Sequence, residues 1–287
     1  MRLEVAPWTQ EGDLKILAQD SEGRCFLLSD DNLCALHRDH GFASKPRACQ
    51  QFPFFLLETP DGTQVGLSFR CSAVQQDHGV AWSEHEQTLE VLCERGIPRV
   101  GFEPVGLGQA TLTWATYKGW EEKWLLSLER GQGLSQAVAE SLGPMLGFHP
   151  QAFDPLIQFL SASAVGFLES QDAEAAAEVT TALRLQRGYL SQRRGWVEAR
   201  PRPFMLLPDA QAARYLGHVL ERKTLWTSQR FLGRLLMLLC AERMLSYYQG
   251  YQPFGLVVEQ IEGEWLTHRV GLETLELLFE EALLSLS

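Results

Sequence analysis

No run of apolar residues in this sequence is long enough to cross a bilayer. The best candidate, "FLGRLLMLLCAERML" starting at Phe231, is broken by Arg234 and Glu242. An apolar leader is also missing, because "MRLEVAPWTQEGDLK" places acids where a secretory signal needs a hydrophobic run. These two absences lead to the expectation of a cytoplasmic protein with no membrane partner. Positive charge is short: 25 Lys and Arg stand against 36 Asp and Glu, a formal net charge of -11. Phosphate backbones demand the opposite surplus, so nucleic acid is not expected as a partner. The sequence contains no G-x-x-x-x-G-K-[ST] loop, no H-E-x-x-H and no G-x-S-x-G elbow, and "VGLGQA" lacks the third glycine of a dinucleotide fingerprint. Cysteine is scarce too, with six in 287 residues and no C-x-x-C pair. A chain of this length buries a core without disulfides, and in a reducing compartment clustered thiols bind metal more often than they pair.

What is present changes character near residue 80. Before it, Gly, Pro, Cys and short apolar runs such as "CFLLSDDNLC" and "QVGLSF" predict loops and short strands. After it, helical periodicity takes over. The resulting fold class is mostly α, with a small irregular α+β cysteine-cluster region over residues 1–80 and a predominantly helical domain over 81–287. Ser83 and Glu86 predict a capped helix that Gly96 and Pro98 close. "RVGFEPVGLGQATLTWATY" predicts a hairpin. Helices are then expected at 120–130, 134–147, 153–170, 172–187, 209–222, 227–248 and 272–286. The stripe Phe231, Leu232, Leu235, Leu236, Leu239 and the stripe Leu272, Leu275, Phe279, Ala282, Leu283, Leu286 are expected in the core.

The six cysteines separate by environment. Cys93 and Cys240 sit within apolar helical stripes, where a free thiol acts as a small hydrophobe. Cys25, Cys34, Cys49 and Cys71 lie in turn-rich segments, with eight, fourteen and twenty-one residues between them. Long spacings specify nothing by themselves. Four thiolates on one zinc, or one on each iron of a cluster, nevertheless need flexible loops that converge, and Gly23, Gly41, Pro46 and Pro53 stand beside the cysteines. Residue types alone leave metal ligands and scattered structural thiols both open.

The string "GRCFLLSDDNLCALHRDHGFASKPRACQQFPF", followed by "LSFRCSAV", resembles the YkgJ-type cysteine-cluster family, a zinc- or iron-chelating domain, and most of all its flagellin lysine N-methylase branch. Cys25 with Phe26 and Leu27 stands at the first element, and Cys34 with Leu36 and His37 at the second. Gly41, Lys45, Pro46, Cys49, Phe52 and Pro53 match "G-x-x-x-K-P-x-x-C-x-x-F-P", and Cys71 matches the last lone cysteine. The resemblance covers about fifty residues and implies Cys25, Cys34, Cys49 and Cys71 as ligands of zinc or an iron–sulfur cluster. The family normally opens with a dense C-x-x-C-x-x-C-C knuckle, yet no cysteine precedes Cys25 here. Either the protein's start lies upstream of Met1, or the site keeps four cysteines and binds one metal or none; a retained metal is expected.

Two functions follow from this reading. The methylase branch implies methyl transfer from S-adenosylmethionine to a lysine-bearing protein substrate, with no catalytic residue assignable here. The alternative is a non-catalytic module, metal-stapled or redox-active, whose helical part docks a partner. Other residues divide the same way. His37 either joins a metal site with His40 or packs near the cysteines while His40 faces solvent. Lys45 and Arg47 either offset thiolate charge or flank a turn. Trp114, Tyr117, Trp120 and Trp124 are a ligand wall or core. The arginines from Arg184 to Arg202 dock an acidic partner or an anionic cofactor, or form a solvated helix end and linker. Glu121 with Glu122, and Glu280 with Glu281, are expected on solvated helix faces.

Overall fold

The structure is a computed structural model that describes residues 8–11, 14–20, 24–31, 33–94, 96–97, 104–107, 110–169, 210–226, 228, 230–248, 253–262, 276–277, 279–281 and 283. The expected helix at 172–187, the arginine run and most of 272–286 lie outside these residues. The chain is mostly α with a small α+β part, and it divides into two compact units, Met1–Phe52 and Pro53–Ser287. The change of composition near residue 80 marks the hairpin giving way to helices, whereas the division between units falls at Phe52.

The first unit begins with an antiparallel pair, β1 (Trp8–Glu11) and β2 (Leu14–Leu17), with Trp8 opposite Leu17. Asp20 closes the next turn by accepting from the backbone N–H and Nε of Arg24, both at 2.9 Å. Isolated bridges join Gln19 to Cys25 and Leu28 to Cys34. Helix α1 (Ala35–His40) stops at Gly41, whose φ of 82° is costly for residues with a side chain. A 3-10 turn, Phe42–Ser44, and then Pro46 lead into α2 (Arg47–Gln51). The Ser44 hydroxyl reaches the Leu36 and Gly41 carbonyls at 2.9 and 2.6 Å. The Gln50 amide donates to the Ala43 and Lys45 carbonyls at 3.2 and 2.5 Å. Side chains therefore tie the two short helices into one corner, since neither is long enough to hold itself.

The second unit opens with the hairpin β3 (Phe54–Thr59) and β4 (Gly62–Leu67), turned by Thr-Pro-Asp-Gly with Gly62 at φ 115°. After α3 (Ser72–Gln75), a 3-10 turn at Trp82–His85 precedes α4 (Glu86–Glu94), so the helix proper starts two residues later than a cap at Ser83 predicts. Leu89 and Leu92 of α4 pack with Leu56 and with Cys93 itself. The predicted second hairpin is β5 (Val105–Leu107) with β6 (Ala110–Leu112). Helix α5 (Trp114–Glu129) begins earlier than 120 because Thr113 caps it, its hydroxyl accepting from Thr116 N–H at 3.2 Å. Helices α6 (Leu134–Leu146), α7 (Pro150–Glu169), α8 (Ala210–Glu221), α9 (Phe231–Tyr248) and α10 (Phe254–Gln260) complete the body.

Helix α9 is the axis of that body and contacts α6, α7, α8, α10 and β5. The predicted stripe from Phe231 to Leu239 is buried, but so are Met237, Leu238, Cys240, Ala241 and Met244, so this helix is buried on every side. Burial pushes the Cys240 thiol up to about 12, which makes it inert. Phe279 and Leu283 of the last predicted stripe are also buried. Gly233 admits the backbone at Glu276, where a Cβ would overlap it. The aromatic group is core: Tyr117 and Trp124 are fully buried, and Tyr117 meets Trp226 and Phe231 at 5.2 and 5.8 Å.

Buried charges complete the packing. Glu122 is exposed as expected, but Glu121 is only 4% exposed. It accepts from the Tyr117 hydroxyl one turn back at 2.7 Å and pairs with Lys223, which reaches across from the end of α8. Adjacent helix positions diverge by about 100°, so one of such a pair can face inward. Glu242 caps α6, accepting from the N–H groups of Leu134 and Ser135 at 2.6 and 3.3 Å and from the Ser135 hydroxyl at 2.8 Å. Arg222 donates to the Leu67 carbonyl and to Glu262, both at 2.7 Å, and lies 4.5 Å over the Phe55 ring. It fastens the β3–β4 hairpin to the helical body.

Candidate functional site

Three of the four candidate ligands share the first unit. Cys25 stands at a bridge with Gln19, and its carbonyl accepts from Leu28 N–H at 2.9 Å. Leu28 bridges in turn to Cys34, the residue that precedes α1. Cys49 lies in α2, which the Gln50 amide ties back toward α1. All three thiols are half-buried and unpaired by disulfides. Burial pushes the Cys49 thiol up; the Lys45 ammonium opposes this, and Cys25 and Cys34 add to it, so each of those two lies within electrostatic reach of Cys49. Cys71 is placed in the second unit, at the start of α3, and is also half-buried.

Donor chemistry fits a thiophilic metal: three soft sulfurs share one unit with the Lys45 cation near Cys49, although Cys49 lies in a short helix and not in the turn its sequence suggests. The geometry is not preassembled, since among the described residues no group of three or more His, Cys, Asp or Glu side chains is arranged around one point. Binding by the three therefore requires the loops to draw inward. His37 and His40 both face solvent, and the His37 ring packs edge-on against Phe42 at 5.9 Å. The Lys45 ammonium lies 5.5 Å from the Phe42 ring centre.

Among the side chains of the first unit whose burial is described, Leu27 and Ala35 are buried apolar ones, while Trp8, Leu33 and Phe52 are 48%, 55% and 50% exposed. A unit as small as Met1–Phe52 is near the size below which apolar burial alone rarely holds a fold.

A second concentration of polar groups lies in a groove of about 510 Å³ between α5 and α8. On α8, Ala213, Arg214, Gly217, His218 and Glu221 recur at three- and four-residue spacing and form its wall. On α5, Leu125, Leu128 and Glu129 face them. The signal was present in the sequence as small residues interleaved with ionisable ones, on the face opposite Ala212, Tyr215, Leu216, Val219 and Leu220. The Arg214 guanidinium pairs with Asp77 at 3.0 Å, donates to the Gln75 carbonyl and lies 5.3 Å over Phe69. The His218 ring packs on Phe69 at 5.1 Å, and its Nδ1 is 3.8 Å from Glu221. Burial lowers the His218 pKa, helped by Arg222 and Arg214. Burial raises that of Glu221, eased by Lys223 and reinforced by Glu121 and Glu129.

No protein-family model, no curated protein and no solved structure matches this chain. No helix among the described residues is long and apolar enough to cross a membrane.

Proposed function

We propose that the first unit is a thiolate metal module, holding zinc or an iron–sulfur cluster through Cys25, Cys34 and Cys49 in a reducing, cytoplasmic setting. The observation that carries this reading is the presence of three half-buried thiols in one small compact unit, with Cys25 and Cys34 both within electrostatic reach of Cys49. Metal binding supplies folding free energy directly, which is how small units with thin cores are usually held. Cys71 belongs to the second unit, and the proposal does not draw on it. The metal is structural in this reading, and the helical body is left to engage a protein partner.

Elemental analysis and the absorption spectrum of anaerobically purified protein test the proposal. Zinc or iron in near-stoichiometric amount is expected, with loss of the metal and new protease sensitivity before Pro53 in the C25S/C34S/C49S variant. Neither metal in stoichiometric amount defeats it. Calorimetry with S-adenosylmethionine on metal-replete protein separates the module from the enzyme that the family resemblance implies. No heat selects the structural module; saturable micromolar binding selects the methyltransferase and overturns the non-catalytic reading.

A further inference from the structure

The groove between α5 and α8 is one-sided in its chemistry. The cations around it are already engaged: Arg214 with Asp77 and the Gln75 carbonyl, Lys223 with Glu121, and Arg222 with Glu262. Its carboxylates are not. Glu129 has no ion-pair partner among the described residues, and the contact of Glu221 is with His218 at 3.8 Å, beyond a hydrogen bond. Glu129 ends α5 and Glu221 ends α8, so the two acids project from different helices and still act on each other electrostatically. Between them the lining is apolar and low, because Ala213 and Gly217 stand where larger side chains would meet Leu125 and Leu128. A Cβ on Gly217 would find Leu125 at 3.8 Å, an ordinary contact, so the empty space comes from side-chain size and not from backbone separation.

We propose that this groove binds a linear aliphatic polyamine, with ammonium groups at Glu129 and Glu221 and the methylene chain along Leu125, Leu128, Ala213 and Gly217. Three features select that occupant. The free groups are acceptors, so a ligand must bring N–H donors and positive charge. They are two and separate, so a ligand with spaced charges gains over one with a single head. The floor between them is aliphatic, which suits methylenes, and a groove of about 510 Å³ falls within the range of small-molecule sites. The His218 ring, whose charged form its burial disfavours, lines the same groove beside Glu221. The inference is independent of the thiolate site.

Calorimetry with spermidine tests it on the full-length protein, with n-butylammonium and butanoate as probes of head number and charge. Spermidine is expected to saturate one site, n-butylammonium to bind at least about tenfold more weakly, and butanoate not at all. E129Q and E221Q are each expected to weaken spermidine by about tenfold, the loss of one charge-assisted hydrogen bond. Both positions are exposed, so these variants should melt like the parent protein. E122Q removes an exposed α5 carboxylate outside the groove and should leave affinity unchanged; A213F fills the groove and should abolish binding. Absence of spermidine binding, equal binding of butanoate, or E129Q and E221Q behaving like E122Q overturns the proposal.

Discussion

Replacing Arg222 by methionine tests how the β3–β4 hairpin is held on the helical body. The side chains of Arg222 and Glu262 are 5% and 4% exposed and meet at 2.7 Å. Removing one partner of such a pair costs about 3–5 kcal/mol, because the remaining charge stays buried. The Leu67 carbonyl loses a 2.7 Å bond, which adds about 1–3 kcal/mol, and the contact over Phe55 adds about 0.5–1 kcal/mol. These contributions overlap and methionine refills part of the space, so a net loss of about 4–6 kcal/mol is predicted. That is a large share of the 5–15 kcal/mol typical of a folded domain. The second variant, R222M/E262M, removes both charges and should recover most of the loss, ending within about 2 kcal/mol of the parent. Urea unfolding followed by far-UV circular dichroism and tryptophan fluorescence measures both. R222M within 1 kcal/mol of the parent, or a double variant no better than R222M alone, refutes the reasoning.

Two further outcomes follow from the buried groups. E242A strips the α6 N-terminus of three hydrogen bonds and should cost about 2–4 kcal/mol in the same assay, against under 0.5 kcal/mol for the exposed E122A; similar losses in the two variants would show that the cap does not matter. His218 has a folded-state pKa below its ordinary value of 6.5 because burial and two arginines disfavour its charge. Its contribution is therefore fully present above the unfolded value and is lost as pH falls through 6.5 and then the folded value. The stability of the parent should drop more steeply than that of H218Q between pH 8 and pH 5.5, and parallel pH profiles would contradict this.

The helices were legible where one face is apolar: α6 and α8 fall within a residue or two of the periodicity, and α6 stops at Gly147, which takes a φ of 77°. Helix α9 was legible as a helix but not as the axis, since a single stripe does not reveal that Met237, Leu238 and Ala241 on the other sides are buried as well. Glu121 was hidden because its ion-pair partner Lys223, 102 positions away, reaches it only when α5 and α8 pack. Of the candidate site, the sequence identified which cysteines stand outside the helical core. It could not reveal that Cys25, Cys34 and Cys49 share one compact unit while Cys71 lies in the other, because that division depends on which segment the β3–β4 hairpin packs against. The groove was missed for a related reason: Ala213 and Gly217 mean little until α5 is placed opposite them.

Anaerobic cadmium titration, read through thiolate-to-metal charge transfer, addresses the thiolate module most directly. A saturable ultraviolet band ending at one equivalent, weakened in each of C25S, C34S and C49S and absent from the triple variant, is the predicted result. A titration without an endpoint, or an undiminished band in the triple variant, contradicts the account.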